Sequence, residues 1–145
     1  MPGGAGRRKR GTFQPGNELA CRWRARLAEH LGTFSAELAR ARAGPLLADA
    51  PRLAGLGAAC AVVDALLPER EPHAAVYHGL VALLDSLADE ANPLEAWGAG
   101  FVRWELGLLA ELGFGLDLSQ CAATGSNDGL VWVSPKSGRA VSAAA

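Results

Sequence analysis

Two different spacings of apolar residues divide this chain, and they constrain its fold more than any other feature. Between residues 18 and 38 the apolar residues fall mainly at every second position, which is the period of a β-strand. Between residues 51 and 112 they recur every three or four positions, which is the period of an amphipathic helix. The order of these segments predicts an α+β fold in which strands precede helices.

The first segment predicts a strand over residues 18–27 and a returning strand that alternates from Thr33 to Leu38. The predicted strand places Arg22, Arg24 and Arg26 on one face. Its opposite face is apolar and carries Leu19, Cys21, Trp23, Ala25 and Leu27. A helix from residue 18 to residue 31 is the alternative, because Ala, Leu, Arg and Glu favour helices, but it would scatter the three arginines around its circumference.

Three amphipathic helices are predicted after residue 50. The first runs from Pro51 to Leu67, with Asp49 as its cap. The second ends near Asp89, and the third begins at the Asn92-Pro93 pair and ends at Gly113 or Gly115. The predicted core positions of the first helix are Leu53, Leu56, Cys60, Val63 and Leu67. Those of the third include Trp97, Phe101 and Trp104, for which core packing is the expected role.

The remaining segments predict connections and a hairpin. Residues 43–50 form the expected junction between the strands and the helices. Residues 130–133 and 139–141 flank a turn that contains Pro135 and Gly138, so they predict a closing β-hairpin.

Charge is distributed unevenly along the 145 residues, whose net charge is only -1. Residues 1–42 carry nine Lys and Arg against three Asp and Glu, whereas residues 43–145 carry five against twelve. This division predicts a basic β segment over 1–42 and an acidic helical domain over 43–145. The family resemblance described below implies that a hairpin is inserted in the helical domain at 116–142.

Composition excludes several classes of protein. No apolar run approaches the roughly 18 residues that a membrane-spanning helix needs, so no membrane partner is expected. The basic run before residue 11 is followed by polar sequence, which disfavours a secretion signal. Cys21, Cys60 and Cys121 are odd in number and widely separated, which favours a reducing, cytoplasmic setting.

Catalytic patterns are weak throughout. Gly4-Ala5-Gly6 lacks both the third glycine and the preceding strand of a dinucleotide site. His73 and His78 are five residues apart, which does not match the four-residue step of a helical zinc pair. We therefore expect no enzymatic activity and no cofactor, and a small helical hydrolase remains a minor alternative.

The order of motifs in the last third resembles that of a known family. A run ending WELGLLAELGFG, whose last eleven residues are Glu105 to Gly115, is followed by LDLSQCAATGSNDGLVWVSPKSGRAVS, from Leu116 to Ser142. This order resembles the end of the helical domain and the zinc-ribbon-like hairpin of the RecO family of DNA repair and recombination mediators. The early stretch GGAGRRKRGTFQPGNELACRWRARLAEHLGTFSAEL resembles the later strands of the oligonucleotide-binding (OB) barrel of the same family.

The resemblance implies a fold and a set of partners. The fold would be a partial OB-like β barrel, then an α-helical domain with a C-terminal β-hairpin, and the chain would be a fragment that lacks the first barrel strands and the last helices. The function would be binding of single- and double-stranded DNA, annealing, and RecA loading together with RecR. The tail of single-stranded DNA-binding protein is the further implied partner, and the bacterial cytoplasm and nucleoid are the implied location.

Cys121 stands where zinc-bearing relatives begin a CxxC pair. Here the partner position is Thr124, and the return segment GRAVSAAA contains no cysteine. A four-thiolate site cannot be assembled from these residues, so we expect a hairpin without zinc and interpret Cys121 as a small buried hydrophobe.

The basic residues are the candidate nucleic-acid site. Arginines at every second strand position would lie about 6.6 to 7 Å apart, close to the phosphate spacing of an extended single strand. Cations on a preceding loop would extend this row, giving sequence-independent, salt-sensitive contacts. The predicted site comprises Arg7, Arg8, Lys9, Arg10, Arg22, Arg24 and Arg26. The alternative is a helical protein-interaction or regulatory module whose basic arm only aids solubility.

Overall fold

The computed structural model describes residues 11–27, 31–69 and 71–145, and its described part has the predicted α+β composition. The elements occur in the order strands, helices, strands. They are β1 Glu18–Arg24, β2 Thr33–Arg40, α1 Ala43–Ala48, α2 Ala50–Leu66, α3 Ala74–Ala88, α4 Leu94–Glu111, β3 Leu130–Val133 and β4 Ala140–Ser142. The strand interpretation of the first segment is confirmed over Glu18–Arg24, and the strand ends three residues earlier than predicted.

The chain forms two compact units. One unit contains the described residues up to Glu71 together with Ala82–Trp97, and the other contains Pro72–Val81 and Gly98–Ala145. Helices α3 and α4 each contribute residues to both units. The predicted domain division between residues 42 and 43 stays a prediction. No described helix is long and apolar enough to cross a membrane.

β1 and β2 form a two-stranded antiparallel sheet with one apolar face. Its cross-strand pairs are Leu19 with Leu38, Cys21 with Ala36, and Trp23 with Phe34. Residues directly opposite each other share a face, so these three pairs form a continuous apolar ladder. The ladder is not buried by the described residues, since Trp23 is 52% exposed and Phe34 is 56% exposed.

The core of the first unit lies beneath the loop that precedes β1. Leu46 of α1 and Leu56 of α2 are fully buried. Gly16 has a φ of 89°, and a Cβ there would lie 2.9 Å from Leu46 Cδ1. Glycine at this position therefore allows a left-handed backbone conformation and lets the Leu46 side chain approach the backbone closely.

Helix α2 begins as predicted but buries a different face. Asp49 caps it by accepting a 3.0 Å hydrogen bond from the Arg52 backbone N–H. The buried positions are Arg52, Leu56 and Ala59. Of the predicted core positions, Leu53 and Cys60 are exposed, so that part of the prediction was wrong. The buried stripe includes an arginine and an alanine, which hydrophobic spacing alone did not select.

Arg52 is buried because its guanidinium binds the carbonyl oxygens at the end of α3. Its Nη1 donates to the oxygens of Leu87 and Asp89, at 2.5 and 2.9 Å. Its Nη2 donates to the oxygen of Asn92 at 2.8 Å. The last carbonyls of a helix lack intrahelical partners and carry partial negative charge, so a cation stabilises them.

Residues 43–50 were predicted to be a plain junction, but they contain the short helix α1 and the cap of α2. This short helix has no apolar periodicity, and a side-chain contact stabilises its first turn instead. Asn17 Oδ1 accepts hydrogen bonds from the backbone N–H groups of Arg42 and Ala43, at 2.9 and 3.1 Å. These hydrogen bonds satisfy backbone donors at the start of α1. A helix of only six residues would not be stable without such contacts.

Candidate nucleic-acid interface and helical groove

Two of the predicted strand arginines share one exposed face. Arg22 and Arg24 lie on β1, opposite Ser35 and Thr33 of β2, and both side chains are exposed. Arg26 is also exposed but lies in the bend after β1, outside the strand. The prediction that all three arginines extend from one strand was therefore wrong for Arg26, because β1 ends at Arg24. Within the described parts of the chain, none of these three arginines forms an ion pair.

The four cations of the N-terminal run are not part of the described structure. Arg7, Arg8, Lys9 and Arg10 lie outside the described residues. Their assignment to the nucleic-acid site stays a prediction from the sequence.

The base of the sheet is held by a buried arginine that sequence analysis did not identify. Arg42 is 3% exposed, and its guanidinium pairs with Glu18 at 3.0 Å and with Asp85 of α3 at 2.5 Å. Arg40 contacts the other carboxylate oxygen of Asp85 at 2.9 Å. The start of β1 and the end of β2 are thereby attached to the same helix.

Ionisation in this cluster favours the charged forms. The hydrogen bond from Arg42 lowers the pKa of Asp85, and the charges of Arg42 and Arg40 lower it further. Burial opposes the charge on Arg42, but hydrogen bonds and charge interactions with Asp85 and Glu18 outweigh burial and raise its pKa. Two of the nine cations in the basic segment therefore have structural partners.

A small cavity lies within the second unit, between the first half of α3 and the last half of α4. It has a volume of about 180 Å³. Its lining residues are Ala75, Val76, Gly79, Arg103, Trp104, Gly107 and Leu108. We call this cavity the helical groove.

The groove combines an apolar floor with a cation at its rim. Val76 and Leu108 are buried, whereas Arg103 is exposed. A Cβ on Gly79 would lie 3.1 Å from Trp104 Cδ1, so glycine allows the indole to approach α3 closely. The Trp104 Nε1 donor is buried and has no hydrogen-bond acceptor among the described residues. Trp97 and Trp104 are both buried, which confirms their predicted packing role.

No group of three or more His, Cys, Asp or Glu side chains within residues 11–27, 31–69 and 71–145 has the arrangement of a metal site. His73 instead lies 3.6 Å from Glu111, measured from Nδ1 to Oε1.

Comparison with known proteins identifies the family. Residues 47–145 match the family model described as recombination protein O C terminal (RecO). This match covers more than half of the chain and includes α2, α3, α4 and the closing strands. The chain therefore belongs to the RecO family. No solved structure matches it.

Curated relatives named DNA repair protein RecO match almost the whole chain. The protein from Rhodospirillum centenum is 54% identical over 145 residues, which are 99% of this chain and 56% of the relative. The protein from Rhodospirillum rubrum is 55% identical over 96% of this chain and 56% of the relative. The Paracoccus denitrificans protein is 52% identical over 100% of this chain and 58% of the relative. The chain thus spans a little over half the length of these relatives.

Replacing Asp85 with Asn should destabilise the attachment of the sheet by about 1–3 kcal/mol at pH 7, because Arg42 would stay buried with one fewer anionic partner. The partly exposed position of Asp85 favours the lower part of this range. The folded state lowers the pKa of Asp85, so its contribution is present above the unfolded pKa of about 4 and is lost as pH falls through the folded-state value.

Urea denaturation between pH 3 and pH 7 measures this effect. The difference between the wild type and Asp85→Asn should shrink as the pH falls. Asp64→Asn, on the exposed side of α2, is the matched control and should change stability by less than about 0.5 kcal/mol. Equal losses for the two variants at pH 7 would contradict the anchoring role of Asp85.

Proposed function

We propose that this chain is part of a non-enzymatic DNA repair protein that contacts the phosphate backbone through the exposed arginines of its two-stranded sheet. The observation that carries the proposal is the pair Arg22 and Arg24, which are exposed on one strand face without a carboxylate partner among the described residues. Two strand positions span about 6.6 to 7 Å, so neighbouring arginines can follow successive phosphates. Arg26 and the N-terminal cations extend the same basic segment.

Such contacts do not distinguish sequences. Arginine contacts to phosphate position a protein on nucleic acid but carry no direct base readout. Binding of both single- and double-stranded DNA follows from this chemistry, and it suits a protein that promotes annealing. Membership of the RecO family supports the further proposals that the protein acts with RecR in loading RecA and works in the bacterial cytoplasm at the nucleoid.

We expect replacement of Arg22, Arg24 and Arg26 together with Ala to weaken DNA binding to a similar extent for all sequences. Loss of three phosphate contacts should reduce the slope of log affinity against log salt by about 2 to 3 units. Fluorescence anisotropy across a salt series measures both quantities.

The triple replacement of Arg103, Lys136 and Arg139 with Ala is the control, because it removes the same charge from outside the sheet. Any loss that the two variants share reports net charge alone. Unchanged affinity and an unchanged salt slope in the sheet variant would exclude these arginines from the interface and favour the interaction module without direct DNA binding.

The apolar ladder on the other face of the sheet supports a partial OB-like barrel. A two-stranded hairpin is at best marginally stable alone, and each of its strands has one edge without a strand partner in the described sheet. Trp23 and Phe34 are large side chains that gain most when removed from water. We propose that further barrel strands, outside these 145 residues, pack on the ladder and leave the arginine face open.

Cys21 lies on this ladder, so the reactivity of its thiol shows whether the ladder is covered. We expect its thiol to react readily with an alkylating reagent in this chain and at least tenfold more slowly in a protein extended to the length of the relatives. Cys60 is exposed on α2 and should react equally in both proteins. Equal reactivity of Cys21 in both proteins would contradict barrel completion on this face.

We further propose that the helical groove binds the C-terminal tail of single-stranded DNA-binding protein. The buried Val76 and Leu108 suit an apolar side chain, and Arg103 at the rim suits the free carboxylate with which any C-terminal tail ends. An acceptor brought by the tail would also serve the Trp104 Nε1 donor, whose burial without an acceptor is unfavourable.

Replacing Gly107 with Leu should fill the groove and weaken binding of a labelled tail peptide by at least tenfold. No heavy atom outside the local helix backbone lies within 4 Å of a Cβ at Gly107, so the first side-chain atom meets no neighbour in the free protein. Gly100→Leu is the matched control, because Gly100 lies on the same helix, also has no neighbour within 4 Å of a Cβ and does not line the groove.

An amidated tail peptide isolates the role of the carboxylate. It should bind wild-type protein about tenfold or more weakly than the free-acid peptide, since a hydrogen bond to a charged group contributes about 1.5–3 kcal/mol. Fluorescence polarisation measures all six combinations of the three proteins and the two peptides. Equal binding by the two glycine variants would place the peptide outside the groove.

A further inference from the structure

β3 is the outer strand of the closing hairpin. Its partner β4 is bordered on the side away from β3 by Asp117. The Asp117 N–H donates to the Gly138 carbonyl at 3.0 Å, and the Asp117 carbonyl accepts from the Ala140 N–H at 2.9 Å. β3 pairs with β4 along one edge, and no other described strand pairs with it. The second edge of β3 is therefore open within the described structure.

The backbone groups of Val133 point out of this open edge. Val133 lies opposite Ala140, whose N–H donates away from β3 to Asp117. The next pair along the hairpin is hydrogen-bonded, since the Ser134 N–H donates to the Arg139 carbonyl at 2.9 Å. Pairs in an antiparallel ladder alternate between exchanging hydrogen bonds and directing their N–H and C=O groups outward. Val133 therefore presents one donor and one acceptor at an edge that no described strand occupies.

The side chains of β3 are apolar and exposed on both faces of the strand. Val131, Trp132 and Val133 are 56%, 68% and 45% exposed. Soluble proteins commonly protect an edge strand with charged residues or proline. β3 contains no charged residue and no proline. An exposed apolar edge of this kind is a template for pairing with another chain.

A bulge limits the regular part of this edge to the second half of the strand. The register with β4 shifts between Leu130 and Trp132, which leaves Val131 without a direct partner on β4. A bulge disrupts the ladder locally and bends the strand that contains it. The regular part of the edge is therefore centred on Val133.

Buried contacts hold the hairpin together, so its edge has a fixed support. Cys121 is 1% exposed, which confirms its predicted burial. Its Sγ accepts hydrogen bonds from the backbone N–H groups of Ser142, at 3.2 Å, and Thr124, at 3.5 Å. Thr124 and Ser142 carry hydroxyl groups, so this donor set does not fit the zinc that the family resemblance implies. Hydrogen bonds and packing hold the hairpin instead.

We propose that β3 pairs with the β3 strand of a second copy of this chain, antiparallel across a twofold axis at Val133. The Val133 N–H of each copy then donates to the Val133 carbonyl of the other. Trp132 lies opposite Ser134 of the second copy, so the two Trp132 rings are diagonal neighbours on one face and within reach of each other. The two hairpins form one continuous sheet, and its apolar edge is no longer exposed.

Charges at the two ends of β3 favour a second copy as the partner. The exposed Asp128 precedes the uncharged strand, and the exposed Lys136 follows it. Neither forms an ion pair with a described residue, whereas Arg139 and Asp117 pair with each other at 3.4 Å. Antiparallel pairing brings Asp128 of each copy towards Lys136 of the other. A twofold interface needs a surface that is complementary to itself, and this edge meets that requirement.

The pairing of two four-residue strands makes a small interface. Stable interfaces bury roughly 1,200–2,000 Å² of surface, which is more than two short strand edges can supply. We therefore expect a weak dimer, whose population rises between micromolar and millimolar protein concentrations.

Sedimentation equilibrium of the 145-residue chain over this concentration range measures the dimer. A reducing agent prevents disulfide formation by the exposed Cys21 and Cys60. Val133→Lys should weaken dimerisation by about tenfold or more, because two like charges would meet at the axis. Val102→Lys is the matched control and should dimerise like the wild type, since Val102 is 54% exposed but lies on α4.

A second variant tests the backbone pairing without adding charge. Val133→Pro removes the outward N–H and leaves the bonds to β4, which the Val133 N–H does not make. Proline is tolerated on an edge strand at such a position. This variant should also dimerise more weakly than Val102→Lys, and its thermal midpoint shows that the chain is folded.

Exchange of charges tests the antiparallel direction. Asp128→Lys should weaken dimerisation by about threefold or more, because two contacts between lysines replace two ion pairs. Adding Lys136→Asp to the same chain exchanges both charges, returns the net charge to that of the wild type and should restore the affinity. A wild type that is monomeric at every concentration, equal dimerisation of the Val133→Lys and Val102→Lys variants, or no recovery in the exchanged variant would each overturn the proposal.

Discussion

The buried guanidinium of Arg42 fixes the position of the β1–β2 sheet against α3. It bridges Glu18, at the start of β1, and Asp85, on α3, while Arg40 at the end of β2 binds the same aspartate. A two-stranded sheet with an exposed apolar face buries too little surface to position itself. The ion cluster instead holds the sheet against α3. The exposed arginines further along β1 are therefore attached to a fixed part of the structure. A buried guanidinium left with no carboxylate partner would cost several kcal/mol, so the cluster favours the attached arrangement of the sheet.

Local patterns were sufficient to predict the three long helices and most of the first strand. The helix predicted from Pro51 to Leu67 occurs as Ala50–Leu66, because its cap and proline act within one turn. The same locality explains the errors. Arg26 alternates with the other arginines but lies beyond the strand, since pairing with β2 ends at Arg24. The six-residue α1 has no period to detect and depends on Asn17, which precedes β1.

The contacts that organise the candidate sites join residues far apart in sequence. Arg42 and Asp85 are separated by 43 positions, and Arg52 binds carbonyl groups 35 to 40 positions away. A single sequence shows that these residues are charged but not which residues they contact. The environment of Cys121 was missed for the same reason, because the donors that polarise it come from Ser142 on the return strand.

The two proposed binding surfaces depend on different interactions, so salt should weaken one of them more than the other. Contacts between strand arginines and phosphates depend on many weak, screened charges, and their strength falls steeply with salt. The helical groove combines apolar burial, which salt does not screen, with a single cation at its rim. At increasing ionic strength the arginine surface should therefore release DNA before the groove releases a peptide. A protein with this combination can remain attached to a DNA-bound partner through the groove while its basic surface exchanges between strands.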